Sequence, residues 1–268
     1  MKKIISNLSE SNTTYAAPAL EKGLDILELL SKSESGITQQ EIASQLGRNL
    51  GEIYRMLNCL VQKNYVANYG NTYTITSKLF QLSHFHPPIY RLLTEGVPIL
   101  AELSRQVSFP CDLRIYNKGV QTVIASIQPP EGIGFMTSVG SEIAVAPSAS
   151  GLVLVAFQDP VMIELCIQES LPDKSNAEIN NFRKLLKEVA SKGFASIQSK
   201  QYAGLHAVSF PILDANSNAV AAMTVPMLAR IDGTKQADQN KVIEKLRKSA
   251  ATLTSRIALI SNKKNDKK

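Results

Sequence analysis

The chain has 268 residues, 44% of them hydrophobic, and a formal net charge of +6. That is the length of two ordinary domains, and the composition excludes fibrous, low-complexity and disordered classes. The longest apolar runs, such as residues 152–157, fall far short of the roughly 20 residues that span a bilayer, and the polar residues 1–14 hold no signal-peptide core. A soluble, cytoplasmic protein with no membrane partner is expected.

The charge is unevenly placed. Residues 1–83 carry eight Lys/Arg against seven Asp/Glu (+1), residues 84–240 twelve against fourteen (−2), and residues 241–268 nine against two (+7). The basicity belongs to a solvated C-terminal end and gives no argument for nucleic-acid binding. Cys59, Cys111 and Cys166 are scattered, with no CxxC pair. Neither a disulfide framework nor a zinc site is indicated, and all three are expected as buried thiols.

Residues 1–17, rich in Ser, Asn and Thr, read as a flexible arm. From Ala19 the period is helical: Leu20, Leu24 and Leu27 recur at i, i+4 and i+7, widened by Ile26, Leu29 and Leu30. Gly36 stops this segment. Thr38 followed by Glu41 has capping-box spacing and starts a short helix with Ile42, Ala43 and Leu46 on its apolar face, ended by Gly47. A third helix is predicted over 49–63, with Ile53, Met56, Leu57 and Leu60 on one side. Residues 65–67, the turn 68–71 and residues 72–75 then read as a hairpin. This order is that of a winged helix-turn-helix, placed at 18–83.

Another short helix is predicted over 76–83, stopped by the Pro87-Pro88 pair. Residues 84–108 read as a linker helix that Pro98 kinks or splits. Beyond it, strands are expected at 112–116, 120–128, 134–139, 194–197, 205–213 and 219–227, and helices at 148–157, 161–169, 176–192 and 236–260, with a basic tail at 262–268. Strand clusters with hairpins at both ends predict an antiparallel α+β domain over 109–261.

At 100° per residue the third helix turns Gly51, Arg55, Asn58 and Gln62 away from its apolar side, with Glu52 and Tyr54 on the flanks. Arg pairs bidentately with guanine edges, and Asn or Gln with adenine. Arg48 and Asn49 at the helix start are candidate phosphate contacts, as are Thr38, Gln39 and Gln40 on the preceding helix. Any surface helix shows polar residues outward; the helix before it and the wing after it favour the DNA reading. The wing tip, with Asn68 and Asn71, is uncharged and reads equally as a plain turn.

The runs 19–27, 38–43, 54–60 and 73–76 together resemble the DNA-binding domain of the IclR family of transcriptional regulators. Residues 193–195, 204–205 and 208–212 resemble the second half of that family's effector domain. The resemblance implies two α+β domains, a winged helix-turn-helix followed by a GAF-like effector domain with an antiparallel sheet. It also implies a double-stranded operator, assembly as dimers or tetramers of dimers, a small-molecule effector and no cofactor. It assigns effector contacts to Met136, Gly140, Ser141, Ser148, Ile197, Ala207, Thr224 and Pro226. The backbone N–H groups of the Gly140-Ser141 loop would receive a carboxylate; Ser148 and Ser150 read equally as hydroxyl donors or as helix caps.

Several positions depart from the family pattern. Ile197 stands for an Asp, Ala207 for a Cys, Thr224 and Pro226 for two serines, Ser199-Lys200 for an acidic pair, and Leu152 for the Lys after Gly151. Each swap removes a hydrogen-bonding or charged group, so a larger effector less polar than glyoxylate or pyruvate is expected, organic or aromatic, or else a sensor that no longer senses. His84, His86 and His206 have no metal-ligand spacing, and no metal is expected. An enzyme with a helical partner-binding module is the remaining alternative, but no GxSxG, HExxH, P-loop or GxGxxG motif supports it.

Overall fold

The computed structural model describes residues 17–131, 134–146, 148–200, 202–229 and 238–265, with the side chains of 259–265 left out. The expected arm up to residue 16 and the end of the tail, residues 266–268, lie outside them. The chain forms two compact units divided between His86 and Pro87.

The smaller unit contains α1 (Pro18–Ser31), β1 (Ile37–Thr38), α2 (Gln39–Leu46), α3 (Leu50–Gln62), β2 (Val66–Tyr69), β3 (Thr72–Ile75) and α4 (Lys78–Phe85). Its caps follow from the sequence. Thr38 and Glu41 close a capping box on α2, Gly47 ends that helix at φ +62°, and the Asn49 side chain accepts from Glu52 N to start α3. Ile26, Leu30, Ile42, Ile53 and Leu57 are buried together, with Val66 and Tyr73 from the wing. The two-stranded hairpin is widened by β1, whose Ile37 pairs with Tyr73, giving sheet order β1-β3-β2. The turn of the wing is Gly70-Asn71; Asn68 lies inside β2, opposite Tyr73.

The larger unit contains α5 (Pro87–Val107), β4 (Cys111–Asn117), β5 (Val120–Ile127), β6 (Glu142–Ala144), α6 (Ala149–Ala156), α7 (Pro160–Ser170), α8 (Asn176–Lys192), β7 (Ala195–Gln198), β8 (Leu205–Leu213), β9 (Ala219–Leu228) and α9 (Gln239–Asn265). Its sheet has order β6-β5-β4-β9-β8-β7, every pair antiparallel. Alternating side chains give it two buried faces. Val208, Phe210, Ile212, Ala221 and Met223 pack with α5 and α9 on one. Ala222, Ala195 and Ala207 pack with α6, α7 and α8 on the other. All eight residues of α6 are buried, as a helix apolar on every side requires. Gly151 permits this, since a Cβ there would lie 2.0 Å from the Val145 carbonyl oxygen.

Four expectations are corrected. The helix predicted over 84–108 has other bounds and no break: α4 takes in His84 and Phe85, and α5 begins at Pro87 and runs unbroken through Pro98, with Leu92, Leu100, Leu103 and Val107 in the larger core. Residues 134–139 form no strand, because the edge of β5 is taken by β6 and by the bonds of Gly140 N and Ser141 O to Val123. The last helix continues into the expected tail as far as Asn265. Cys59 is exposed, although Cys111 and Cys166 are buried; α3 buries a narrow stripe, and Cys59 lies at its polar edge.

Candidate functional site

The outward face of α3 is built as its period dictates. Ile53 and Leu57 are fully buried, which leaves Gly51, Tyr54, Arg55, Asn58 and Gln62 exposed. Arg55 and Asn58 form no hydrogen bond or ion pair among the described residues, so the guanidinium and amide are available to a partner. Gln40, Asn68 and Asn71 are also exposed.

The remaining positions expected to touch DNA have work inside the unit. Thr38 Oγ1 donates to Glu41 Oε2 at 2.7 Å and accepts from Glu41 N. Gln39 Nε2 donates to the Leu50 carbonyl. Arg48 lies 3.7 Å from Asp25. Lys22 Nζ lies 2.9 Å from Glu52 Oε2, and this contact is the main cause holding the Glu52 carboxyl below its ordinary value. These bonds fix α1, α2 and α3 against one another and so aim the free face of α3.

In the larger unit a cavity of about 400 Å³ lies over the β7–β8–β9 end of the sheet, walled by the 134–146 segment and the start of α6. Ser141, Ser148, Ile197, Ala207 and Pro226 line it, as do Arg114, Phe135, Thr137, Ser150, Lys200 and Tyr202. The rings of Phe135 and Tyr202 meet across it, centroids 5.0 Å apart. A wider groove of about 620 Å³ runs along α9 past Phe194, Phe210 and Ile243. No buried polar side chain lines that groove, so it lacks groups that would orient a ligand.

The floor of the smaller cavity holds a buried ion pair. Asp112 is fully buried and Arg114 is 6% exposed. Arg114 Nη2 donates to Asp112 Oδ2 at 2.6 Å and to Thr137 Oγ1 at 3.1 Å, and Nη1 donates to Ser150 Oγ at 3.1 Å. Ser126 and Thr137 hydroxyls donate to Asp112 Oδ1 and Oδ2.

The family is decided by two profile matches. The IclR helix-turn-helix domain matches residues 19–68, and the bacterial transcriptional regulator IclR C-terminal domain matches residues 90–255. The chain belongs to the IclR family of transcriptional regulators. It is similar to the regulator BhcR of Paracoccus denitrificans, 24% identical over 85% of each chain. It is also similar to the Pca regulon regulatory protein of Pseudomonas putida, 21% identical over 77% of this chain and 73% of the other. Among solved structures, an IclR regulator from Alicyclobacillus acidocaldarius superposes with a TM-score of 0.69 at 21% identity, covering 91% of this chain and 100% of the other. An IclR homologue from Microbacterium hydrocarbonoxydans, solved with 4-hydroxybenzoate, superposes with a TM-score of 0.72 at 16% identity, covering 89% and 98%. The matched families and relatives are DNA-binding transcriptional regulators, which excludes the enzyme alternative.

Within this IclR fold the expected effector positions divide. Met136 is exposed beside Gln128 and is not a cavity residue. Thr224 is buried beneath the sheet surface, its Oγ1 2.9 Å from Ser209 Oγ. The anion-binding amides expected in the 140–141 loop are occupied: Gly140 N donates to the Val123 carbonyl at 2.8 Å and Ser141 N to the Ser138 carbonyl at 3.2 Å. Ser148 caps α6 through Gly151 N, accepts from Gln121 Nε2 and donates to the Val145 carbonyl. The polar character lost at Ile197, Ala207 and Pro226 returns from Arg114 and Thr137, for which no role was expected, and from Ser150, expected as a hydroxyl donor or a helix cap.

Proposed function

We propose that this IclR regulator binds a two-fold operator as a dimer or tetramer of dimers, in the cytoplasm, and that a small organic effector held in the 400 Å³ cavity alters its affinity for that operator. The observation that carries the DNA contact is the free polar face of α3, where Arg55 and Asn58 project from a helix anchored by Ile53 and Leu57. Base contacts from this face, with phosphate contacts from Gln40 and the wing residues Asn68 and Asn71, fit the docking of a recognition helix in the major groove. For self-association, α1 leaves Leu20 and Leu24 exposed as a surface for a second copy. The apolar side of α5 is taken up by its own core.

For the effector, the cavity is of ligand size and mixes apolar walls with a few convergent polar groups. It is larger than glyoxylate or pyruvate needs, which favours an organic or aromatic catabolite; the neighbour that holds 4-hydroxybenzoate supports the aromatic choice. A second reading, an operator-binding protein with a vestigial sensor, is favoured by one observation: the loop amides of Gly140 and Ser141 are already satisfied by protein carbonyls.

A gel shift with the DNA upstream of the protein's own gene tests both readings. Retardation that survives excess unrelated DNA supports the regulator, and its relief or strengthening by aromatic and aliphatic acids supports the effector. Retardation insensitive to every compound that binds the purified protein would favour the vestigial sensor.

A further inference from the structure

We propose that the groove along α9 takes α7 of a second copy of this chain, a contact between larger units that is separate from the α1 surface with Leu20 and Leu24. The inference rests on the self-association reading above and adds the surface that joins one dimer to the next.

The groove is shaped for a helix. It runs from Asn240 to Ser255 along α9, about 22 Å at 1.5 Å per residue. Phe194 and Phe210 stack on its floor, centroids 4.9 Å apart, beside Leu213 and Ile243. Ala250 and Ala251 keep the α9 wall low, and small side chains at a contact bring helix axes close. A strand has little to bind here. β7 pairs with β8 no further than Ser209, which leaves residues 210–213 without a neighbour on that side. Along that stretch Pro211 has no N–H to offer, and Leu213 N already donates to Thr254 Oγ1 at 3.1 Å. What the groove offers is side-chain packing, the mode by which an amphipathic helix docks.

Charge selects the occupant. Lys192 and Arg247 are exposed on the groove wall, and neither forms an ion pair among the described residues. The acid that lines it, Glu244, is paired with Lys248 at 2.7 Å. A fitting helix carries apolar residues outward with acids, not cations, beside them. α7 has that pattern: Val161, Met162 and Leu165 are exposed, and Val161 and Leu165 share a face. The helix holds Glu164 and Glu169, no Lys or Arg, and Asp159 as its cap. Glu164 meets Arg183 of α8 in an exposed bridge, a kind that contributes little in water. Eleven residues span about 16 Å and fit within the groove. α4 exposes Phe80 and Phe85 but carries Lys78 and no acid, so the cationic wall disfavours it. α1, apolar and acidic outward, belongs to the first contact.

Stripe and groove are different surfaces, so the contact is heterologous. It closes when two copies each give α7 to the other's groove.

The test is the mass of the full chain at micromolar concentration by analytical ultracentrifugation. The wild type should form a species larger than two chains. Val161→Arg/Leu165→Arg puts cations on the stripe, and Ala251→Arg fills the groove; all three positions are exposed, and circular dichroism checks the fold. Each variant should sediment as two chains. Mixed in equal amounts, they should partly restore the larger species, because one keeps an intact groove and the other an intact α7. Should a variant fail to fold, Met162→Arg replaces the first and Ser255→Arg the second. A wild type no larger than two chains, a folded variant that keeps the wild-type mass, or a mixture that stays at two chains would overturn the proposal. An assembly broken by Ala251→Arg alone would mean that another surface fills the groove, which overturns it too. A dimeric wild type would leave the self-association reading standing; a monomeric one would remove both.

Discussion

Gln39 Nε2 donates to the carbonyl of Leu50 at 2.9 Å, bridging the first turn of α2 to the first turn of α3. A residue expected to touch a phosphate is instead a brace between the two helices. Gln39→Ala should destabilise the smaller unit by about 1 kcal/mol, the usual net worth of such a bond. That corresponds to a fall in its melting temperature of about 4–8 °C for a domain of this size, read by thermal denaturation. An unchanged melt would show that the brace is dispensable.

Arg55 stands exposed on α3, one turn before Cys59 and beside Asn58. Arg55→Ala should weaken specific operator binding by about 1–3 kcal/mol and relax selectivity at one base position. Its thermal stability should match the wild type, since Arg55 makes no hydrogen bond or ion pair among the described residues. Competition gel shifts with operator and mutated operator read the effect.

The three thiols differ in access. Cys59 is exposed, whereas Cys111 and Cys166 are buried, and burial is the first cause raising both of their pKa values. A maleimide should therefore label the native protein at Cys59 alone. Cys59 borders the face that carries Arg55, so operator DNA should slow that labelling, while unrelated DNA at the same concentration should slow it less. Equal rates with and without operator would place the DNA elsewhere.

His206 gives a pH dependence. Its Nε2 lies 2.8 Å from Ser196 Oγ and 2.9 Å from Gln239 Nε2; the Gln amide nitrogen only donates, so the ring nitrogen accepts and the imidazole is neutral. Burial lowers its pKa below the ordinary 6.5. The unfolded chain thus takes up the proton first as pH falls, and stability drops from about pH 6.5 downward until the folded pKa is passed. Thermal melts between about pH 7.5 and 5.5 should show a steeper loss for the wild type than for His206→Gln.

Much of the architecture was legible because its signals are local. The stripes of α1 and α3, the Thr38–Glu41 capping box, the Gly47 stop and the Gly70-Asn71 turn each declare themselves within a few residues. What escaped was set by distant partners. β1 is two residues long and exists only because Ile37 meets Tyr73. Residues 134–139 carry a strand-like composition, yet the sheet edge they would need is claimed by β6. Asp112 and Arg114 offered a readable signal, opposite charges at i and i+2 on one side of an otherwise apolar strand. Gly140 and Ser141 had the right residue types, but their N–H groups were committed to Val123 and Ser138, which no short-range pattern reveals.

The hydrophobic nucleus beneath α1, α2 and α3 closes without any residue beyond Ile75. The smaller unit is thus self-contained: exchanging residues 17–86 for those of a relative should leave the larger unit able to fold, and a hybrid of that kind would carry the relative's choice of DNA.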